Sequence, residues 1–494
     1  MELCDVLEGI PYEIIQYGKK PVDVAGITID SRKAREGFMF ICISGLNADG
    51  HKFIEEAASL GATVAVCEHG DCDYPADITV VSVTSTRETL NSLAGNFYDH
   101  AVNRMRVIGV TGTNGKTSTT HFLESILAEC GVNPGVIGTS GARTLTAGVA
   151  SAVNIPYATS TTPDTIELHA IFAEMAKRGT EYVAMEVSSH ALALQKVGEV
   201  KFALGIFTNL TQDHLDFHVN MQNYLEAKAR LFSLCAVGLI NADAEQSAAE
   251  YIKNNAAAKI KTFAIDNEAD FKAENLTLSP TGISFELSLD EKKVKFALNI
   301  PGRFSAYNAL AAVSAAITLG FPPDKVAAGL AKVENVPGRI QPIENSRGFN
   351  VFVDYAHSPD GLKNIINAVK EFTKGRVITV FGCGGNRDPI KRPIMGKICG
   401  ELSDFCVITS DNPRNEVPER IIEAAEVGIK QTDCEYIKIT DRREAIFKAI
   451  GLAKKGDSVI IAGKGHEDYQ EFENNRRVRF DDAETAKEAL ICAE

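Results

Sequence analysis

Apolar residues fall in short uninterrupted runs along this chain, and most of the runs end in a polar residue or a glycine. From residue 1 to about 105, the runs Phe38 to Ile43, Thr63 to Val66 and Ile78 to Val83 read as strands, and Lys52 to Leu60 reads as the one clear helix. Together they predict a small α/β domain. At Val107 the run VIGV enters a glycine-rich turn and then a helix over Ser118 to Glu129, the opening of a parallel βα sheet. YVAMEV, ALGIFTNL and VGLINAD continue that sheet, each ending in polar residues where open α/β sheets place their sites. Val336-Pro337-Gly338 is a turn signal, and VFVDYA, VITVFG, FCVITSDN and SVIIAGKG after it predict a second parallel sheet. The fold class is therefore α/β with three domains, 1–105, 106–335 and 336–494, which suits a length of 494 residues.

Composition narrows the setting. No apolar run approaches the roughly 18 residues of a membrane span, and the start MELCDVLEGI lacks a basic n-region and an apolar h-region. A cytoplasmic protein without membrane contact is expected. The eleven cysteines contain no C-x-x-C pair, which argues against disulfides and thiolate zinc and for small buried hydrophobes. A net charge of −14 argues against nucleic acid as a partner, so an anionic substrate must be held by local groups.

The strongest chemical signal is GVTGTNGKTST, Gly109 to Thr119, between a strand and a helix. Its backbone N–H groups, from Gly112, Thr113, Asn114 and Gly115 to Ser118, suit phosphate oxygens; Lys116 adds a positive charge and Thr117 a hydroxyl for Mg²⁺. Val110 stands where the usual first glycine belongs. Farther on, a 3.6-residue period groups Tyr224, Leu225, Leu231 and Phe232 on one face with Lys228 in its middle, while Glu226 and Arg230 point away. Burial of a lysine lowers its pKa and leaves an amine able to react with CO₂; snorkelling to water is the other reading. His214 and His218 have the spacing of a zinc helix, a reading that the residues alone leave open.

TGTNGKT resembles the Mur ligases and their folylpolyglutamate synthetase relatives. DSR at Asp30 to Arg32, TTP at Thr161 to Pro163, EVSSHAL from Glu186, TNLTQDHLDFH from Thr208, YLEAKARLF, GRF…N, DYAHSP, DNPR and GKGHEDYQ match the Mur ligases in order along the whole chain. The resemblance is to those members that add the third amino acid to a UDP-MurNAc-peptide. It implies a UDP-binding first domain, a central phosphate-loop ATPase and a Rossmann-like C-terminal domain that receives the amino acid. ATP would phosphorylate the D-Glu side-chain carboxylate of UDP-MurNAc-L-Ala-D-Glu, and the incoming amine would attack the acyl phosphate, with Mg²⁺ and cations stabilising the charge.

By the same resemblance Glu186, His214 and carbamylated Lys228 join Thr117 as magnesium ligands, and His218 is structural. Asn308 contacts adenine, while Arg339 and Asp354 hold the phosphates and ribose. Ser305 and Gln341 depart from the family pattern. Ile29, Ser31, Leu46, Asn47, Ala48, Thr161, Thr162 and Ser188 would bind the UDP-MurNAc-dipeptide, with Lys196 where relatives carry an arginine. Arg387, Asp411, Asn412, Pro413, Arg414, Gly463 and Glu467 would bind meso-diaminopimelate. Its distal carboxylate, absent from lysine, suits the Arg414 guanidinium, which would otherwise be left partly unpaired. A monomer is expected. The alternatives are a lysine-adding ligase, a folate polyglutamylating ligase, and a nucleotide-binding switch that ligates nothing.

Overall fold

The computed structural model describes residues 1–19, 22–45, 48–68, 74–146, 152–155, 161–279, 281–289 and 292–492. They form two compact units: Met1–Gly109 with Val132–Gly205 and Arg230–Val237, and Val110–Gly131 with Ile206–Ala229 and Gly238–Glu494.

The first unit opens with a five-stranded sheet in the order Glu13–Gln16, Thr79–Ser82, Val64–Cys67, Phe38–Ile41, Gly26–Thr28. Its first strand is antiparallel and the others are parallel. Met39, Ile41, Val64 and Val66 pack on one face, and Phe40, Ala65, Cys67 and Val80 on the other. A sheet covered on both sides explains why these strands read as unbroken apolar runs. The expected helix Lys52 to Leu60 is split: Asp49 caps a 3-10 turn over Gly50–Phe53, and the α-helix runs only from Ile54 to Ser59. Sequence reading also missed the longer helix Thr86–Phe97, whose Leu90, Leu93 and Ala94 cover the first face. Its signal was present, since Ser85 accepts from the Glu88 N–H in an S-x-x-E start.

A second sheet in this unit pairs Tyr182–Glu186 in parallel with Pro134–Gly138, followed by antiparallel Gly141–Thr144 and Val153–Ile155. The helix Thr165–Lys177 buries His169, whose ring nitrogens have no partner among the described residues. Burial lowers its pKa to about 4, against a partial rise from Glu199. The unfolded chain thus takes up the proton first, so stability falls as pH drops through 6.5 and levels below 4. Going from pH 7 to 5 should cost about 2 kcal/mol through this group. Urea unfolding of wild type and His169→Leu at both pH values checks it; identical pH dependence in the two removes His169 as the cause.

In the second unit the ends of strands Arg106–Thr111, Phe202–Phe207 and Cys235–Asn241 are followed across the sheet by Lys259–Ala264 and Phe271–Lys272. A separate antiparallel sheet of Glu274–Ser279, Gly282–Leu289 and Lys292–Leu298 was not foreseen. The last sheet has the order Gln341–Pro342, Asn350–Asp354, Ser458–Ala462, Val377–Phe381, Phe405–Ile408, Glu435–Lys438, parallel except at its first strand. Four of these strands are the expected runs after the 336–338 turn. No described helix is long and apolar enough to cross a membrane. All ten described cysteines are free; six are buried, but Cys4 and Cys492 are exposed, contrary to the expectation for those two.

Candidate active site

Strand Arg106–Thr111 runs into a loop that ends at the helix Lys116–Glu129, which begins two residues before the expected start. Gly112 has φ +150°, and a Cβ there would lie 1.9 Å from Thr208 Oγ1, so the loop can pass strand end 207–208 only as glycine. Thr208 Oγ1 donates to the Asn114 carbonyl at 2.6 Å, and Asn209 Oδ1 accepts from the Asn114 N–H at 2.9 Å. Thr113 bonds the Tyr224 hydroxyl at 3.1 Å. Lys116 Nζ donates to the Gly112 and Thr113 carbonyls, both at 2.8 Å, which fixes its charge over the loop. Loop, lysine and helix N-terminus together form an anion-binding site.

A cavity of about 450 Å³ adjoins this loop, within the range of small-ligand sites. Gly115, Thr117, Ser118, Asn308, Arg339 and Asp354, all expected at the nucleotide, line it. Arg339 Nη2 donates to Thr117 Oγ1 at 3.2 Å, and its guanidinium lies 4.7 Å from the centre of the Tyr355 ring. Its Nε is buried without a partner among the described residues. Both Asp354 oxygens already accept backbone N–H groups, from Ile340 at 2.7 Å and Ala356 at 2.8 Å, and burial pushes its pKa up. A ribose hydroxyl would have to use the remaining lone pairs. The two departures from the family pattern have local roles here: Ser305 Oγ donates to the Pro301 carbonyl, and Gln341 Oε1 accepts from Gly338. Tyr307 and Asp360 were not anticipated. Tyr307 bonds Asp243 at 3.0 Å, and Asp360 Oδ2 accepts from Asn114 Nδ2 at 2.8 Å.

Lys228 lies in the last turn of the helix Met221–Ala229 and is 1% exposed. Leu231 and Phe232, expected on the same helix, lie in the 3-10 turn Arg230–Ser233, though both are buried; Glu226 and Arg230 are exposed. The Lys228 ammonium stands 4.4 Å from the centre of the Tyr224 ring. Burial depresses its pKa strongly, the charge of Lys116 adds to the effect, and Asp213 opposes it. Snorkelling is excluded by this burial. His214 adopts left-handed backbone and is half exposed, with Nε2 3.5 Å from Asp213 Oδ2. Burial works against ionisation of Asp213, yet His214, His357 and Lys391 hold its carboxyl below the ordinary value. His218 is buried against the rings of Phe217 and Tyr224, which is packing rather than a zinc helix. Magnesium prefers oxygen donors, so Thr117 fits it directly and Lys228 fits it only as the carbamate.

In the first unit, Glu186 closes strand Tyr182–Glu186 and is buried, accepting from Thr139 N at 3.0 Å and Thr139 Oγ1 at 3.2 Å. A Cβ on Gly138 would meet its Oε1 at 2.3 Å, which reserves that position for glycine. Thr161 Oγ1 accepts from Thr139, and Thr162 Oγ1 donates to the Glu186 carbonyl and accepts from Ser188 N. Ser188 also caps the short helix Ser189–Ala193. Lys196 pairs with Asp164 at 2.5 Å. Ser31 is buried and donates to Glu56 at 2.5 Å, whereas Ile29 and Ala48 are exposed. Leu46 and Asn47 lie outside the described residues.

The amino-acid pocket expected in the C-terminal sheet gathers at the ends of strands Phe405–Ile408 and Ser458–Ala462. Beside Gly384, a Cβ would lie 3.2 Å from Arg414 Nη1 and 3.6 Å from Arg387 Cγ, so the Arg414 guanidinium and the stem of Arg387 flank the same backbone position. Asn412 Nδ2 donates to Glu467 Oε2 at 3.0 Å, and Lys464, fully buried and missed in sequence, reaches both Asn412 Oδ1 at 3.0 Å and Glu467 Oε2 at 3.1 Å. Burial opposes ionisation of Asp411, but Lys464, Arg442 and His357 hold its pKa down; a Cβ on Gly463 would approach its Oδ2 within 2.5 Å. The Pro413 carbonyl accepts from Glu416 N, and Arg392 grips Glu416 bidentately at 2.9 and 2.8 Å, tying the 413–416 turn to the helix Lys391–Leu402. The Tyr355 hydroxyl donates to Glu467 Oε1 at 3.3 Å. Arg414 is partly paired, with Glu471 Oε2 at 3.1 Å and the Gly385 carbonyl at 2.9 Å, which leaves Nη2 without a partner among the described residues.

Comparison with known proteins agrees with this arrangement. The Mur ligase family catalytic domain matches residues 23–98, the Mur ligase middle domain 110–316, and the Mur ligase glutamate ligase domain 338–465. The chain belongs to the Mur ligase family. It is thus an ATP-dependent ligase of peptidoglycan precursor synthesis, and its three-domain α/β organisation is that of the family. A relative in Caldanaerobacter subterraneus named UDP-N-acetylmuramoyl-L-alanyl-D-glutamate–2,6-diaminopimelate ligase is 43% identical over 499 residues, covering 100% of both chains. One of the same name in Alkaliphilus metalliredigens is 44% identical, covering 99% of this chain and 97% of its own. A solved structure of a ligase with that name is 30% identical, with TM-score 0.69, covering 100% of this chain and 99% of that one.

Proposed function

We propose that this Mur ligase joins meso-2,6-diaminopimelate to the D-Glu side-chain carboxylate of UDP-MurNAc-L-Ala-D-Glu in the cytoplasm, acting as a monomer. Domain 1–105 binds the UDP end, 106–335 holds ATP, and 336–494 receives the amino acid. Mg²⁺, when bound, supplies charge neutralisation at the phosphates. Thr117, His214 and carbamylated Lys228, which lie in one compact unit, are its proposed ligands. The remaining steps belong to the chain. Lys116 and the loop N–H groups hold the transferred phosphate, and Arg339 counters the charge that grows as the carboxylate becomes an acyl phosphate. The amino-acid pocket then aims the nucleophilic amine.

One observation carries the choice of amino acid: the Arg414 guanidinium, paired with Glu471, is tied through the Glu471–Asn412 bond to the Asn412–Glu467–Lys464 cluster. A guanidinium and an acid suit a side chain that ends in both a carboxylate and an ammonium. Lysine offers only the ammonium. Wild type should therefore use meso-diaminopimelate far better than L-lysine. Charged hydrogen bonds contribute roughly 1.5–3 kcal/mol each, so Arg414→Ala should lower kcat/KM for diaminopimelate at least about tenfold and affect lysine less. The measurement is kcat/KM for both amino acids at saturating ATP and UDP-MurNAc-dipeptide. Equal losses would assign Arg414 to the fold or to the common α-amino-acid end.

A further inference from the structure

Arg414 lies 57 residues from the acid that holds it, and the two meet because strand Tyr469–Phe472 runs beside the 411–414 segment. The strand is clamped there by three bonds. Gln470 Nε2 donates to the Asp411 carbonyl at 2.8 Å, Glu471 N donates to Asn412 Oδ1 at 2.9 Å, and Arg414 N donates to the Glu471 carbonyl at 3.0 Å. Arg414 itself has φ +50°, a left-handed conformation that a non-glycine residue keeps only when its surroundings hold it. Its side chain is as constrained as its backbone: Nε goes to Glu471 Oε2 and Nη1 to the Gly385 carbonyl, while Nη2 has no protein partner among the described residues.

A guanidinium can grip a carboxylate side-on, through Nε and Nη2, or end-on, through Nη1 and Nη2. Glu471 takes the single Nε hydrogen and so closes the side-on edge, whereas Nη1 keeps a second hydrogen beside the one given to the Gly385 carbonyl. We propose that Glu471 is a positioning residue that presents Arg414 end-on to the distal carboxylate of the amino acid, and so helps to set specificity; this rests on the diaminopimelate reading above. Without Glu471 the long arginine side chain regains rotamers that must be frozen again on binding, and that cost falls on substrates with a distal carboxylate. A purely electrostatic role would have the opposite sign. Glu471 would then only offset the arginine's charge, and neutralising it would tighten diaminopimelate binding.

The test is steady-state kinetics of the full chain with meso-diaminopimelate and with L-lysine, also reading KM for ATP, in wild type, Glu471→Gln, Glu471→Ala, Arg414→Ala and the double alanine variant. Glu471→Ala should raise KM for diaminopimelate about tenfold, with lysine use and KM for ATP unchanged. Glu471→Gln retains an oxygen that accepts from Nε and should stay within about threefold of wild type. On the Arg414→Ala background, removing Glu471 should add nothing. Equal effects on both amino acids, tighter diaminopimelate binding in Glu471→Gln, or additive losses in the double variant would each overturn the proposal. A wild type that prefers diaminopimelate while Glu471→Ala is indifferent overturns this inference alone. A wild type without that preference overturns the functional reading, and this proposal with it.

Discussion

Lys116→Ala should reduce ATP-dependent ligation by roughly 10²–10³-fold or more, the cost of removing a preorganised charge from a developing anion. Lys116 is the only cationic side chain between Gly109 and Thr119. Its ammonium is held by the Gly112 and Thr113 carbonyls, at the start of the helix whose dipole points the same way. The variant should fold, because those two carbonyls can turn to water. Phosphate release that depends on both the amino acid and the UDP-MurNAc-dipeptide is the measurement, with circular dichroism to verify folding. Near-normal turnover in a folded variant would remove Lys116 from the phosphate site.

Lys228→Ala should be as damaging, for a different reason. An amine this deeply buried, with the charge of Lys116 adding to the penalty, is poorly placed to remain a cation even with Asp213 and the Tyr224 ring favouring it. As a neutral amine it can take up CO₂ and become an anionic oxygen ligand. Alanine removes that ligand, and a loss of about 10²-fold or more is expected from the missing metal contact. Added acetate or propionate should restore part of the rate by occupying the space of the carbamate. Intact mass of the active, substrate-bound enzyme provides the second check: a lysine lacking the added CO₂ would sink the idea even if the variant were inactive.

Much of this site was legible in one sequence because its parts are local. A strand, a glycine turn and a helix are contiguous at 106–129, and the buried face around Lys228 follows from helical spacing, although Ala229 ends the α-helix before Leu231 and Phe232. The parallel strands showed because both faces of their sheets are covered. The 274–298 hairpins did not, since their residues alternate between exposed and buried and include many polar ones. The split of the 52–60 helix was set by Asp49, a capping contact outside the window that was read. Least legible were partners distant in sequence. Glu471 for Arg414, Lys464 for Asn412 and Asp360 for Asn114 are brought together only by the fold. GKGHEDYQ did contain Lys464, but nothing in the string shows that it is buried.

Tyr355 belongs to two rooms at once. Its ring supports Arg339 on the proposed nucleotide side and its hydroxyl holds Glu467 on the proposed amino-acid side. Any engineer who recuts the pocket for a different amino acid by replacing Glu467 also removes the anchor of that hydroxyl, and with it a restraint on the ring beneath the arginine. Acceptor choice and nucleotide handling are therefore not separable dials in this enzyme. Reciprocity of binding free energies requires that whatever Tyr355 transmits from one ligand to the other, it transmits equally in return. A redesigned acceptor pocket needs its nucleotide affinity retuned along with it.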